Sequence, residues 1–221
     1  MKETTAILLF GRSAIAEARH KHFGGVGESQ RVTASLLRRT HRVLARTGLP
    51  VYQADERVQN GLTFGERLLY AVRDTFARGY ENLLVVGSDC PGLSTQLLRT
   101  AERQLATGQA VLGPDTRGGV YLLGISRDHV DGTDLSEVRW CTQHVFTDLQ
   151  DRLVGGNVLP VRADANHLRD LRIHWCRWSG LLGELADLVL RLTPAPVAAG
   201  LPRRTLRVRR TDRGRAPPRV A

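Results

Sequence analysis

Leu83-Leu84-Val85-Val86-Gly87-Ser88-Asp89-Cys90-Pro91-Gly92-Leu93 is the stretch that decides the fold. Four apolar residues without polar alternation fit a strand covered on both faces, as in a parallel sheet. The run stops at Gly-Ser before a carboxylate, and Pro-Gly then marks an abrupt turn toward a helix. Open α/β sheets gather their ligands at such carboxyl-end turns. Two roles for Asp89 are open at this point. It is either a ligand for a divalent cation that in turn holds nucleotide phosphates, because hard cations take oxygen donors, or the cap of the following helix.

Working outward, strand and helix signals alternate from the N-terminus to about residue 192, the pattern of a parallel α/β sheet. Ala6 to Phe10 reads as the first strand and Leu49 to Gln53 as the second. Between them Ser29 to Arg46 places Val32, Leu36, Leu37, Val43 and Leu44 at helical spacing, and Gly48 stops that helix. A second helix, Phe64 to Ala77, ends at Gly79 and delivers the chain to the Leu83 strand. Ser94 or Thr95 caps a helix running to about Ala106, with Gly108 as its stop. Ala110 to Leu112 is a short strand ending in Gly113-Pro114, and Val120 to Ile125 is another apolar run. The Gly118-Gly119 pair between them leaves room for a close approach to the backbone. Thr142 to Leu153 reads as a helix, Val158 to Val161 as a strand, and Gly180 to Leu192 as a helix with a leucine-rich face.

The net charge of +10 would suggest nucleic acid if it were spread over the chain. It is not. Residues 202–221 carry eight arginines against Asp212, a net of +7, which leaves +3 for everything before them. Such a segment has too little apolar surface to offset its ordering entropy, so the expectation is one domain over residues 1–192 and a basic, disordered tail over 193–221. Weak, salt-sensitive contact with a polyanion is the function that tail could carry. No apolar run approaches the ~20 residues of a membrane span, and Ala6 to Phe10 is too short for a signal peptide, so the expected location is the cytoplasm, with no membrane partner. Cys90, Cys141 and Cys176 form no CxxC pair, which argues against a disulfide framework and a structural zinc site. The histidines lack HExxH spacing, and there is no Gly-x-Ser-x-Gly elbow, so a zinc hydrolase and a serine hydrolase are both disfavoured.

Five spaced segments occur in a telling order: Ala6 to Ala14; Gly61-Leu62-Thr63-Phe64-Gly65-Glu66-Arg67-Leu68; Gly87 to Leu93; Gly113-Pro114 through Gly118-Gly119 to Gly124; and Arg139-Trp140-Cys141-Thr142. Over about residues 6–171 the chain resembles a bacterial domain-of-unknown-function family of glycosyltransferase-A-like proteins, similar to the guanylyltransferases of molybdenum-cofactor and deazaflavin-cofactor synthesis. The resemblance implies a three-layer α/β/α nucleotide-diphospho-sugar transferase fold, Rossmann-like, with a mainly parallel central sheet. It also implies a nucleotide or nucleotide-sugar donor, a small acceptor, and Mg²⁺ or Mn²⁺.

Carried over by position, the resemblance makes Asp89 the principal metal carboxylate, with Asp164 and Asn166 as late ligands. Asn166 offers a neutral amide oxygen, an acceptable donor. The alternative for Asp164 and Asn166 is capping of a helix around His167 to Leu171. Arg12 and Lys21 join Asp89 as catalytic candidates that supply positive charge, Arg12 by bidentate pairing and Lys21 as a point charge. Gly11, Arg12, Ser88, Gly113, Pro114, Gly118 and Gly119 are the expected nucleotide-binding positions. Trp140 and Thr142 are candidates for an acceptor pocket, and Glu66 with Arg67 for a surface ion pair on a helix.

Two departures from the family pattern bear on activity. The first loop lacks the usual glycine-rich run, and Arg117 stands where the family has Asp before Gly-Gly. A guanidinium there reverses the local charge and would repel a metal unless Asp115 substitutes. The leading expectation is therefore a metal-dependent nucleotidyl or glycosyl transferase. The alternative is a non-catalytic nucleotide-binding protein that keeps the fold with a degenerate metal site.

Overall fold

Alternation along the first strand, β1 (Thr5–Phe10), sets the layers of the molecule. All six residues are buried; Ala6, Leu8 and Phe10 enter one core and Ile7 and Leu9 the other. β3 (Asn82–Val86) repeats this, with Leu83 and Val85 on the first side and Leu84 and Val86 on the second. A sheet buried on both faces needs helices on both, which accounts for the uninterrupted apolar runs. The computed structural model describes residues 4–192, and the expected basic tail at 193–221 lies outside the described residues.

After β1 come α1 (Ala14–Glu17), α2 (Val26–Ala45), β2 (Val51–Ala54), α3 (Phe64–Ala77), β3, α4 (Thr95–Leu105), β4 (Val111–Pro114), β5 (Val120–Ser126) and α5 (Arg127–Gly132). The chain then runs through α6 (Val145–Arg152), β6 (Asn157–Val158), α7 (Leu168–Trp178) and α8 (Ala186–Leu192), with short 3₁₀ turns at Leu135–Glu137 and Gly183–Leu185. The six strands lie in the order β2-β1-β3-β5-β4-β6. β5 is antiparallel to both of its neighbours and every other pairing is parallel. α3 covers one face through Leu68, Ala71, Val72 and Phe76. The second half of α2 (Val43, Leu44) and α4 (Leu98, Ala101, Leu105) cover the other. A third, smaller cluster joins Val32 and Leu36 of α2 to Leu171, Trp178, Leu188 and Val189.

The punctuation read from the sequence holds at several points. Ser94 caps α4 by accepting from Leu97 N at 3.2 Å, and α3 starts and stops where its apolar spacing placed it. Gly79 leaves α3 at φ +96°, a left-handed conformation that glycine adopts freely. The short helices α1 and α5 are not among the elements expected, the second strand is Val51–Ala54 rather than Leu49 to Gln53, and further differences fall late in the chain. The strand expected at 158–161 is only two residues long, because beyond Leu159 the chain bends to bring Arg162 N onto Pro114 O at 3.1 Å. The single helix expected over 180–192 is a 3₁₀ turn followed by α8. The helix expected from Thr142 begins at Val145, since Thr142 Oγ1 turns back to donate to Arg139 O at 2.6 Å. No helix among the described residues is long and apolar enough to cross a membrane.

Leu84 is fully buried between sheet and helices. Leu84→Ala is expected to cost about 2–5 kcal/mol, seen as a lower urea midpoint with an unchanged slope. A shift below about 1 kcal/mol would mean that this face of β3 is not the packed core described.

Candidate functional site

The carboxyl ends of β1, β3 and β4 open into one cavity of about 570 Å³. Its polar side is built by Arg12 and Glu17 after β1, Ser88 and Asp89 after β3, Asp115 and Arg117 in the hairpin loop between β4 and β5, and Asp164 with Asn166 beyond β6. Because β5 runs against its neighbours, the 115–119 loop lies at the same edge as the turn after β3. A larger hollow of about 820 Å³ between α3 and residues 130–136 holds none of the expected site residues.

Asp89 does not cap a helix, since that task belongs to Ser94. Its carboxylate is instead met by a buried ammonium. Lys21 Nζ lies 3.0 Å from Asp89 Oδ2, 3.2 Å from the carbonyl of Ala165 and 3.5 Å from Glu17 Oε1, so its three protons face three oxygens. Burial works against the charge on Lys21, but Asp89 and then Glu17 outweigh it and raise its pKa above the ordinary lysine value. Burial likewise works to raise the pKa of Asp89, and Lys21 reverses this and holds it below the usual carboxylate range. Gly87 makes room for the group, as a Cβ there would sit 3.0 Å from Asp89 Oδ1. Ala165 N donates to the Asp89 carbonyl at 2.8 Å, tying the 164–166 segment to the end of β3. Lys21 itself is buried behind Asp89, outside the cavity lining.

Asp164 is held very differently. Burial, followed by the charges of Asp89 and Asp115 and a hydrogen bond shared with Asp115, pushes its pKa up to about 9. Its Oδ1 is buried without a partner among the described residues. Asp115 is oriented by its own loop, accepting from Arg117 N at 2.6 Å and Gly119 N at 2.9 Å. Cys90, buried directly behind, has its thiol pKa raised by burial and by Asp164 and Asp89, so it stays a neutral thiol.

Several expected positions take other roles. Gly113 and Pro114 are buried strand residues, with the Tyr121 ring within 2.7 Å of where a Gly113 Cβ would stand. Gly118, at φ +84°, is approached by the backbone of Gln143, and a Cβ there would lie 2.0 Å from Gln143 O. Gly119 lines the cavity as expected and also accommodates the Asp115 carboxylate, 2.5 Å from where its Cβ would be. The glycine pair thus makes room for the protein's own groups. Glu66 caps α3 by accepting from Leu62 N and Thr63 N, and Arg67 donates to the Leu62 carbonyl. Asp164 and Asn166 do not cap α7 with their side chains; Asp170 does, accepting from Asn166 N at 2.9 Å and His167 N at 2.8 Å.

The charge reversal read at Arg117 is corrected by a partner that sequence gave no reason to choose. Arg117 Nη2 donates to Asp170 Oδ1 at 2.5 Å, so the guanidinium arrives already paired. Sequence reading also missed Glu17 and Glu56. Glu17 stands between Arg12 (3.3 Å) and Lys21 (3.5 Å), and its i,i+4 spacing to Lys21 was the available signal. Glu56 accepts from both Ser13 N (2.7 Å) and Ser13 Oγ (2.6 Å), a pairing across 43 residues that leaves no local trace.

The donor set suits a hard divalent cation in kind: carboxylates from three segments crowd together, and one buried carboxylate oxygen lacks a partner. Among the described residues, however, no three Asp, Glu, His or Cys side chains converge on one point to hold a metal ion. The arrangement is one that a cation would have to complete by displacing the proton on Asp164.

A family model described as "Uncharacterized protein conserved in bacteria (DUF2064)" matches residues 32–142, half of the 221 residues. The chain belongs to this bacterial family. The matched region contains Asp89 and the Arg117 loop and ends before Asp164. No curated protein matches. A protein of Desulfovibrio desulfuricans G20 described as a candidate nucleotide-diphospho-sugar transferase superposes with a TM-score of 0.69 at 21% identity, over 86% of this chain and 98% of the other. The Rv0371c protein of Mycobacterium tuberculosis H37Rv superposes at 0.52 and 15% identity, over 83% of this chain and all of that one. At these identities the likeness concerns the fold, which is the nucleotide-diphospho-sugar transferase fold expected from sequence.

The pKa of Asp164 has a consequence for stability. Between its ordinary value of 3.8 and about 9 the native state keeps a proton that the unfolded chain has lost, so this residue makes stability fall as pH rises through that window. Asp164→Asn, which mimics the protonated acid, is expected to remove that contribution. Urea denaturation from pH 5 to 9 should show the variant gaining on the wild type as pH rises; parallel curves would place the proton elsewhere.

Proposed function

We propose that this protein is a transferase that takes a nucleoside triphosphate or nucleotide-sugar as donor and a small molecule as acceptor. The observation that carries the reading is the ionised Asp89, fixed by buried Lys21 at the carboxyl end of a central strand and facing a cavity shared with Arg12 and Arg117. Ligands of doubly wound sheets bind at that edge, and a fixed charge pattern there needs no reorganisation during reaction. The neighbouring folds support the same class of chemistry.

In this reading Arg12 and Arg117 receive the anionic oxygens that meet in the cavity, those of the donor phosphates and of an anionic acceptor group alike, because each guanidinium lines the cavity and makes one hydrogen bond to a side chain among the described residues. Lys21 is a positioning residue, keeping Asp89 charged and aimed. Asp89, Asp164 and Asn166 are the residues that would hold Mg²⁺ or Mn²⁺, with Asp115 beside them. Such an ion supplies neutralisation of charge on the leaving phosphate. In nucleotidyl transfer an acceptor phosphate oxygen attacks the α-phosphorus and pyrophosphate leaves. In glycosyl transfer an acceptor hydroxyl attacks the sugar carbon and a nucleoside diphosphate leaves.

One observation favours a second reading, nucleotide binding without turnover. Glu56 already occupies Ser13 N and Oγ, the donors that a phosphate-cradling first loop would offer to a nucleotide. Incubation with a panel of nucleoside triphosphates and nucleotide-sugars plus Mn²⁺ separates the cases. Release of pyrophosphate or of nucleoside diphosphate, reduced at least about 100-fold in Asp89→Asn, is expected for the transferase. Thermal stabilisation by a nucleotide with neither product would establish the binding protein, and no response of either kind would sink both readings.

A further inference from the structure

The same cavity has a second wall with a different chemistry. Phe10, Leu68, Val85, Leu123 and Val145 line it with apolar side chains, each buried apart from the small area turned to the cavity. Phe64 and Trp140 complete the wall as a linked aromatic set: Phe10 meets Phe64 edge to face at 5.4 Å between centroids, and Phe64 lies 5.7 Å from Trp140. The indole is held in place, because Gly65 lacks the Cβ that would sit 2.6 Å from its Cδ1.

Apart from the Cys141 and Gln143 side chains at its rim, the polar side-chain atoms along this wall are already committed. Trp140 Nε1 donates to Leu135 O at 3.2 Å, Thr142 Oγ1 donates to Arg139 O at 2.6 Å and accepts from His144 N at 3.2 Å, and the Tyr121 hydroxyl donates to Pro160 O at 2.9 Å. The Cys141 and Gln143 side chains are exposed at the rim. A sugar carries a hydroxyl on most of its carbons, and each one pressed against this wall would lose water without gaining a partner. An apolar body loses nothing there and leaves water favourably. The two guanidinium groups across the cavity, with side chains 42% and 44% exposed, retain N–H donors suited to an anionic head.

We infer that the acceptor, in the transferase reading on which this rests, is a small amphiphile: an aromatic or branched aliphatic body against Phe10, Phe64, Leu68 and Trp140, and a phosphate or carboxylate head at Arg12 and Arg117. The wall selects against polyhydroxylated acceptors. A hydroxyl added to an apolar pocket without a partner is rejected on the order of 100-fold in comparable sites, so the discrimination is large enough to measure.

Phenyl phosphate, glucose 1-phosphate and inorganic phosphate, each titrated into the whole protein and followed by ligand-observed NMR, test this. Phenyl phosphate is expected to bind at least about tenfold more tightly than either of the others, with Overhauser contacts from its ring protons to the Trp140 indole. In Phe64→Gln that preference should fall about tenfold or more while inorganic phosphate binding is unchanged. Should that variant fail to fold, the Overhauser contacts decide alone. Equal affinity for the three probes, or a bound phenyl ring without contact to Trp140, overturns the inference. So does efficient use of glucose 1-phosphate as acceptor, which leaves the transferase reading standing. Absence of nucleotide binding alongside the phenyl preference would overturn the transferase reading and leave the pocket's selectivity in place.

Discussion

A buried ammonium has to be met by oxygen on every side, and Lys21 meets three. One oxygen belongs to α1, one to the turn after β3 and one to the segment after β6, so a single electrostatic requirement draws together parts of the chain separated by up to 144 residues. A buried ion pair adds little net stability against a well-packed apolar alternative. Here Lys21 is buried while the Asp89 side chain is 32% exposed, so removing Asp89, which leaves the buried ammonium uncompensated, is the more damaging change. The pair therefore acts as a constraint on geometry more than as a source of stability. It decides where the Asp89 carboxylate points, and the site follows from that direction.

The sheet order explains why the carboxylates crowd. Were β5 parallel to β3, its connection to β4 would need a crossover, and the 115–119 loop would not lie beside Asp89. Running antiparallel, β5 forms a tight hairpin with β4 whose tip is closed by Asp115 N donating to Gly119 O at 2.9 Å. Arg162, bridged to Asp115, then carries the chain past that tip and sets Asp164 against it. Three acidic side chains from distant parts of the sequence end in one pocket, and burial first, then repulsion from Asp89 and Asp115, makes Asp164 retain its proton. A cavity that places like charges together at the cost of stability is characteristic of a site selected for binding or chemistry.

Much of this architecture was legible in the sequence because it rests on local signals. Uninterrupted apolar runs marked β1 and β3; period-3.6 spacing marked α2 and α3; glycines marked their ends; and the turn at Asp89 fell at the expected sheet edge. The rest was hidden for physical reasons. α1 is four residues long, too short to show periodicity, yet it delivers Glu17 and Lys21. β6 is two residues long because the pairing with β4 is interrupted after Leu159 and resumes only where Arg162 N meets Pro114 O. Within the site, Asp89, Arg12, Asp164 and Asn166 were visible, while Glu56 on Ser13 and Asp170 on Arg117 are tertiary pairings that composition and spacing do not encode. The Gly118-Gly119 pair was read as space for a ligand. Glycine reports only that something comes close, and here that something is the Gln143 backbone and the Asp115 carboxylate.

Arg117 shows how misleading a charge count along the sequence can be. A carboxylate replaced by a guanidinium changes the local charge by two units, and at an effective dielectric of about 20 each unit charge at 4 Å is worth about 4 kcal/mol, enough to abolish a cation site. That argument assumes the guanidinium faces the site unpaired. Asp170 supplies the missing negative charge and at the same time closes the first turn of α7. Hydrogen bonding to Arg117, Asn166 and His167 overcomes burial and keeps Asp170 ionised. The pair bridges the hairpin loop and α7, and the Arg117 charge still acts on Asp89, helping to hold that carboxylate below its ordinary pKa after the larger effect of Lys21. Arg117 lines the cavity with its side chain 44% exposed.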